Sequence, residues 1–476
     1  MNTIPVRNPK TGLVDYEIPD MTPQNIASIA SELRHNQVSW SQLSPADRGK
    51  VLAAFADALE QNQFELAEAL AIDTGRTTFA KLEAGISVHI ARHWSTQCES
   101  MFDSLASAGY SAQVPSVAYK HLYVPYPVVG IISPWNVPLL LPFLDGLAAL
   151  AAGCSVLIKP SEVTPRFIKP LQKAINQVPE IARVFKLVTG GPDTGRAIID
   201  NTDAICFTGS VATGRKVAQH AAANFIPAFL ELGGKDPAIV MPDAELRLAA
   251  RAILRSALGM TGQACQSLER IYVHESIYEE FLAEVLVQVD RLTLTCDKET
   301  GGDIAPLIFA QQANTIQAQI DDAVERGATV LRGGKPILRG GTWYPPTVIT
   351  GVNHSMKIMR EETFGPVIPI ISFTSVDEAL ALANDSEFGL SGAVFSSDPL
   401  TCTQIATQLQ VGAVSINDAS LTGIVNDVEK NSFKLSGLGG SRMGPSGMTR
   451  FLRKRALLTQ TAEPSSVQIF SEPESQ

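Results

Sequence analysis

The sequence holds six cysteines in 476 residues, none of them in a CxxC pair, which argues against both a disulfide framework and a zinc site. They are scattered, at Cys98, Cys154, Cys206, Cys265, Cys296 and Cys402. That usage fits a reducing compartment, and a cytoplasmic location is expected. No run approaches the roughly 20 uninterrupted apolar residues that span a bilayer. The most apolar stretch, Val137 to Val156, is broken by Pro138, Pro142, Asp145 and Gly153. The first residues, Met1-Asn2-Thr3-Ile4-Pro5, have neither a basic start nor an apolar run, so no signal peptide is expected. Positive charge is in deficit, with a formal net charge of −10, which argues against a nucleic-acid or anionic-membrane surface. No GxGxxG follows a strand, so any dinucleotide must be held by other devices. His89 and His93 stand four apart, but Ile90 fills the place where a zinc-protease motif needs glutamate. The pair reads as ordinary helix surface, and no metal is expected.

What is there is a globular composition, 45% hydrophobic and 18% charged, in a chain long enough for two or three domains. From about residue 128, short β runs alternate with helical stretches. Strands are expected at Val128–Ile132, Ser155–Ile158, Val184–Val188, Ala204–Phe207 and Ala228–Leu230, with helices at Leu139–Ala152, after Thr164-Pro165, near Thr194–Ile199 and from Val211. The pattern restarts after Lys235, with strands at Pro237–Val240 and Arg270–Val273 and helices at Ala244–Leu258, Tyr278–Leu292 and Gln311–Arg326, and it runs on to about Ile416. Such alternation indicates parallel sheets built from βαβ units. Residues 27–110 read as largely helical. Tyr119–Val124 and Arg453–Thr459 alternate like strands and could pair to extend a sheet into a partner subunit. The tail from Thr461 is mostly polar and is expected to be mobile.

Two segments carry the chemistry. Cys265 sits in Thr261-Gly262-Gln263-Ala264-Cys265-Gln266-Ser267, where a thiol in a polar, glycine-flanked stretch can act as a nucleophile. Glu231 lies in Glu231-Leu232-Gly233-Gly234-Lys235, where a carboxylate beside glycines can act as a base. Four further segments supply binding groups. Pro134-Trp135-Asn136-Val137-Pro138 fixes an amide donor between two prolines, which suits an oxyanion hole, although an Asx-turn would explain it too. Ile158-Lys159-Pro160-Ser161-Glu162 ends a strand at the sheet's carboxyl edge, where Lys159 and Glu162 can bond ribose hydroxyls or simply face solvent. Phe207-Thr208-Gly209-Ser210 opens a helix and suits a pyrophosphate, or is only an N-cap. Gly190-Gly191-Pro192 is a strand-to-helix turn, and Glu361-Glu362-Thr363-Phe364-Gly365-Pro366 puts carboxylates and an aromatic ring on one turn.

In this order, and from about Arg7-Asn8-Pro9-Lys10-Thr11-Gly12 to Thr459, these segments resemble the aldehyde dehydrogenase superfamily. The resemblance implies a Rossmann-like NAD-binding domain (1–110 and 127–233), a second α/β catalytic domain (234–440) and a small β oligomerisation sheet with a C-terminal tail (111–126 and 441–476). It implies oxidation of an aldehyde to a carboxylic acid in a homodimer or homotetramer. It places the nucleophile on Cys265, the general base on Glu231 and the oxyanion amide on Asn136. Cofactor contacts fall on Ser133, Pro134, Trp135, Lys159, Glu162, Gly191, Phe207, Thr208, Gly209, Ser210, Leu232, Glu362 and Phe364. A Cys265 thiohemiacetal would collapse to a thioester with hydride transfer, and water activated by Glu231 would release the acid. A carboxylate at Glu162 repels a 2′-phosphate, so NAD is expected over NADP.

Three departures from the family pattern bear on assembly and specificity. The chain starts close to the Asn-Pro-Lys-Thr-Gly turn, where many members carry a longer N-terminal segment. Asp145 stands where many members have a lysine. The usual Pro-Phe-Gly-Gly segment is replaced by Ser432-Phe433-Lys434-Leu435-Ser436-Gly437-Leu438-Gly439-Gly440-Ser441-Arg442-Met443. A substrate tunnel is expected from Val137, Leu140, Leu141, Leu144, Gln266 and the loop Asp418–Thr422, and its leucines favour a medium-chain or aromatic aldehyde. Were Asp145 and Asp418 to face it, an amine-bearing aldehyde would fit instead; solvent exposure or structural hydrogen bonding is the preferred reading of both. A semialdehyde substrate, a CoA-acylating reaction and a catalytically silent fold also stay open, and Glu231 counts against the last two.

Overall fold

The computed structural model describes residues 2–297 and 301–472. Met1, residues 298–300 and, from the tail expected to be mobile, residues 473–476 lie outside the described residues.

Buried aliphatic runs build two sheets, each covered by helices. The first has six strands in the order Gly437–Leu438, Ala228–Glu231, Ala204–Thr208, Val128–Ile132, Ser155–Lys159 and Phe185–Leu187. All but Gly437–Leu438 run parallel. Alternate side chains serve opposite faces. Val129, Ile131, Val156 and Ile158 pack with the helix Leu140–Ala152, while Val128, Leu157 and Ile205 pack with Ile26, Leu33 and Ile198. The register sets Thr208 opposite Glu231 and Ile132 opposite Lys159 and Phe207. One carboxyl edge therefore presents Lys159, Thr208 and Glu231 together, at the place where α/β sheets bind ligands.

The second sheet has seven strands in the order Thr329–Arg332, Thr347–Thr350, Val367–Phe373, Leu268–His274, Asp236–Val240, Ser391–Phe395 and Ala413–Ile416. Only the edge strand Thr329–Arg332 is antiparallel. Cys265 lies just before Leu268–His274 and Phe364 just before Val367–Phe373. The amino ends of these strands thus share a cavity with the carboxyl ends of the first sheet, Cys265 and Phe364 lining it with Thr208 and Glu231. A third sheet pairs Leu452–Gln460 antiparallel with Val117–Pro125 and then Ala108–Tyr110, and its edge strand Leu452–Gln460 is exposed along nearly its whole length.

Four details differ from the expectations. An N-terminal hairpin pairs Thr3–Arg7 with Val14–Pro19; each strand buries little beyond Val6 and Ile18, too few residues for a clear period-2 signal. Ala108–Tyr110 is a strand within a region read as helical. Val184 ends a short helix started by Pro179, and the strand begins at Phe185. Gly437–Leu438, placed by sequence in the catalytic part, crosses back to the first sheet. Among the described residues, no helix is long and apolar enough to cross a membrane.

Candidate active site

The Cys265 loop is shaped by backbone strain. After the helix Leu246–Leu258, the chain turns through Met260, Thr261 and Gly262 with φ of 54°, 61° and 68°. Non-glycine residues in this left-handed region cost of order 1–3 kcal/mol each and persist only where the surroundings hold them. Here Thr261 Oγ1 donates to the Ala305 carbonyl at 3.1 Å, and the buried Gln263 accepts from Ile308 N at 2.9 Å and donates to the Met260 carbonyl at 3.2 Å. A Cβ on Gly262 would overlap the Gly365 carbonyl, so glycine lets the Cys265 loop lie directly on the 362–365 turn. Asn136 Nδ2 donates to the Gln263 carbonyl at 3.0 Å, and Arg76 Nη1 donates to the Asn136 carbonyl at 3.1 Å. An amide carries two N–H donors, and Gln263 takes one of them.

Glu231 closes its strand on the first sheet. Its Oε2 accepts from Ser432 Oγ at 2.9 Å. Glu362 Oε1 accepts from Gly234 N at 3.1 Å, and a Cβ on Gly233 would lie 2.5 Å from Glu362 Oε2, so the glycine pair admits the carboxyl group. Burial, reinforced by Glu269, pushes the Glu362 carboxyl up to about 8. Burial likewise pushes the Cys265 thiol up to about 12, opposed by the Lys430 charge and reinforced by Glu362, Asp236 and Glu231.

Two adjoining cavities hold all the expected catalytic and cofactor-contact residues. A cavity of about 330 Å³ is lined by Asn136, Glu231, Leu232, Cys265, Glu362 and Phe364. One of about 530 Å³ is lined by Ser133, Lys159, Glu162, Gly191 and Phe207. Pro134, Trp135, Thr208, Gly209 and Ser210 line both and join them into one cleft. Trp135 meets Phe364 edge-on, ring centroids 5.4 Å apart. Lys159 and Glu162, three residues apart on the wall of the larger cavity, pair at 3.0 Å. Ser210 caps the helix Val211–Ala223, accepting from Thr213 N at 3.3 Å. Among the described residues no cluster could hold a metal ion.

Phe309, Gln312 and Thr315, which no sequence motif marks, also line the Cys265 cavity. Glu269, equally unmarked in the sequence, accepts with its carboxylate from both Thr363 N and Phe364 N. Of the expected tunnel, only Leu141 lines the cavity with Cys265; Val137 and Leu144 are buried in packing, and Gln266 accepts from Thr422 Oγ1. The two aspartates are ion-paired. Asp145 is buried between Arg442 and Arg450, and Asp418 meets Arg255 at 2.5 Å.

The family model described as the aldehyde dehydrogenase family matches residues 1–457. A provisionally named succinate-semialdehyde dehydrogenase [NADP(+)] of Mycolicibacterium smegmatis is 34% identical over 460 residues, covering 96% of this chain and 88% of that one. Among solved structures, a provisionally named aldehyde dehydrogenase from Anabaena variabilis is 47% identical, with a TM-score of 0.95 over 99% of this chain and 100% of that one. A Staphylococcus aureus betaine aldehyde dehydrogenase, solved in complex with NAD+, is 31% identical, with a TM-score of 0.91 over 99% of this chain and 94% of that one. The chain belongs to the aldehyde dehydrogenase family.

Proposed function

We propose that this protein oxidises an aldehyde to its carboxylic acid, with Cys265 as nucleophile, Asn136 as oxyanion donor, Glu231 as the base that activates water, and NAD as hydride acceptor. The observation that carries this reading is the single cleft: thiol, carboxylate and amide line one 330 Å³ cavity that opens into the 530 Å³ cavity beside it.

The residues of the larger cavity fit a nicotinamide dinucleotide. Ser133 Oγ is buried there with no partner, a donor left for a ligand. Gly191 has open space where a Cβ would stand, and Ser210 with the first N–H groups of a 13-residue helix suits a pyrophosphate. Lys159 and Glu162 would hold the adenine ribose, and Glu362 and Phe364 the nicotinamide end. When bound, the dinucleotide accepts the hydride.

The rest is done by the chain. Cys265 Sγ gives its proton to solvent water, and the resulting thiolate attacks the aldehyde carbon, giving a tetrahedral thiohemiacetal. The Cys265 N–H and the second Asn136 N–H face the developing oxyanion; one such donor is worth about 3 kcal/mol. Loss of hydride leaves a thioester on Cys265. Glu231 takes a proton from water, the water oxygen attacks the thioester carbon, and the acid leaves as the thiol reforms. Holding the groups in one cleft supplies the proximity contribution.

The walls favour an apolar acyl group, since Trp135, Leu141, Phe309 and Phe364 all line the Cys265 cavity. A medium-chain or aromatic aldehyde is therefore the preferred class. An amine-bearing aldehyde is disfavoured, because Asp145 and Asp418 already face arginines. A CoA-acylating reaction is disfavoured by Glu231 in the cavity. Glu162 favours NAD by repelling a 2′-phosphate, while the relative named for NADP(+) keeps NADP in contention. Six free thiols suit a reducing cytoplasm, and the exposed edge strand Leu452–Gln460 suits pairing within a homodimer or a dimer of dimers.

The test is formation of reduced nicotinamide from aliphatic, aromatic, amino and semialdehyde substrates, with NAD and NADP side by side. Turnover lost in Cys265→Ala with NAD binding retained is the expected result. Substantial turnover in that variant defeats the assignment.

A further inference from the structure

Glu231 is gripped from the side that the sequence left without a role. The 432–442 segment leaves the second sheet region, where Phe433–Lys434 pairs antiparallel with Phe388–Gly389, and returns to the first sheet. There Gly437 pairs with Glu231 and Leu438 with Leu230, and Leu232 N donates to the Ser436 carbonyl at 2.9 Å. The Glu231 backbone is thus held between Thr208 on one side and Gly437 on the other. A Cβ on Gly437 would lie 2.6 Å from both the Leu230 carbonyl oxygen and Ser432 Cβ, so glycine permits the close return. Ser432, brought back over the strand, donates its hydroxyl to Glu231 Oε2 at 2.9 Å.

The far end of the segment is anchored in the core. Arg442 Nη2 donates to Asp145 Oδ2 at 2.5 Å and to the Leu141 carbonyl at 2.9 Å, and its Nη1 donates to Thr208 Oγ1 at 3.3 Å. Asp145 also takes Arg450, whose guanidinium lies 4.8 Å from the Phe451 ring centroid and 5.0 Å from that of Phe229. Phe229 is on the Glu231 strand. Burial opposes the Arg442 charge, and the Asp145 and Glu231 carboxylates outweigh it.

We propose that the 432–442 segment is a clamp that fixes the Glu231 carboxylate in one orientation, with Ser432 as the positioning residue and the Asp145–Arg442–Arg450 cluster as its anchor. This rests on the reading of Glu231 as the base that activates water. A free glutamate side chain populates many rotamers, and holding it in one costs entropy that a partner must offset. Ser432 occupies Oε2 and leaves Oε1 to receive the water proton.

The test follows loss of an acetyl group from Cys265 without needing the natural aldehyde. With para-nitrophenyl acetate, a new carbon–sulfur bond forms at Cys265, the ester carbon–oxygen bond breaks and nitrophenolate leaves. Intact mass then reads acetylation and its hydrolytic decay separately. Ser432→Ala is expected to slow decay about 3- to 10-fold while acetylation stays within about twofold. Ser432→Thr, which keeps a hydroxyl, is expected to restore decay, an outcome that a purely structural role would not give. Unchanged decay in Ser432→Ala overturns the proposal, as do equal slowing of both steps and a Ser432→Thr variant as slow as Ser432→Ala. Glu231→Gln separates the two layers. Normal decay there, or no adduct on Cys265 in the unmodified protein, removes the catalytic reading and the clamp with it. Slow decay there with normal decay in Ser432→Ala removes the clamp alone.

Discussion

Lys235 and Glu269 form an ion pair sealed from solvent, with Nζ 2.7 Å from Oε2. The pair carries the turn that faces Cys265. Glu269 Oε2 accepts from Thr363 N and Oε1 from Phe364 N, both at 2.8 Å, while Lys235 Nζ also donates to Thr363 Oγ1 at 2.9 Å. Phe364 is thereby held at φ 49°, a conformation an aromatic residue does not adopt unaided. Burial lowers the affinity of Lys235 for its proton, and Glu269 opposes that shift.

Glu269→Gln should therefore be costly. It leaves Lys235 without a carboxylate and one backbone N–H without its acceptor. Breaking one partner of a buried pair typically costs about 3–5 kcal/mol, and a loss of that order is expected in urea unfolding. NAD affinity should weaken as well, because the Phe364 turn loses its support. A loss below about 1 kcal/mol, the range of exposed pairs, would mean the pair does not hold the turn.

The Cys265 thiol, raised to about 12, is protonated near neutral pH in the resting protein. Only the thiolate is reactive. Alkylation of Cys265 by iodoacetamide, followed by peptide mass mapping, is expected to be slow near pH 7 and to accelerate about tenfold per pH unit to about pH 10. Mapping is needed because Cys296 is also half-buried rather than sealed. A plateau above about pH 9 would show that the thiol titrates like an ordinary cysteine and that its surroundings do not disfavour the charge.

The groups that sequence made legible are local ones. Asn136 between two prolines, Cys265 three residues after a glycine and Ser210 at a helix start each stand out within a few neighbours, although each alone leaves a plain structural reading open, and the alternation of short strands with helices declared the two sheets. What stayed hidden depends on distant partners. Glu269 reads as a polar residue at the start of a strand until Lys235, 34 residues away, is set against it. Asp145 looked like a departure from a family lysine, and its meaning lies with Arg442, 297 residues on. Ser432 heads a segment marked only as a departure from the family pattern, and it meets Glu231 across 201 residues. The N-terminal hairpin was missed for a different reason: it buries too little to show a pattern.

Glu362 offers a test in the neutral state. With its carboxyl raised to about 8, it is mostly protonated at pH 7 and resembles an amide in having one acceptor and one donor. Glu362→Gln should keep the acceptor for Gly234 N and leave NAD affinity within about threefold near pH 7, with the gap from the unmodified protein widening above about pH 8 as the native carboxyl ionises. Calorimetric titration of NAD at two pH values checks this. An equally large loss at both would mean that the carboxylate is already charged near neutrality.

Glu83 links stability to pH at the helix behind Asn136. It is buried on the long helix Thr77–Leu105, and its Oε1 accepts from Leu139 N at 2.8 Å and Leu140 N at 3.0 Å, capping the helix Leu140–Ala152, which has no side-chain cap of its own. Its Oε2 is buried without a partner. Burial raises the carboxyl from the ordinary 4.5 to about 7, opposed by the Leu140 and Leu139 N–H groups and then by Arg76. The folded chain thus holds a proton that the unfolded chain releases between about pH 4.5 and 7, so this group makes stability fall as pH rises through that window and contributes no further change above it. Glu83→Gln keeps the capping oxygen and removes the titration. Its Tm is expected to lie at or slightly below that of the unmodified protein near pH 5 and above it near pH 8, with a difference in stability between the two conditions of at most about 3 kcal/mol. Thermal melts of both proteins at the two pH values decide it: a Tm difference that does not change with pH would mean that Glu83 ionises in the folded chain as it does in water.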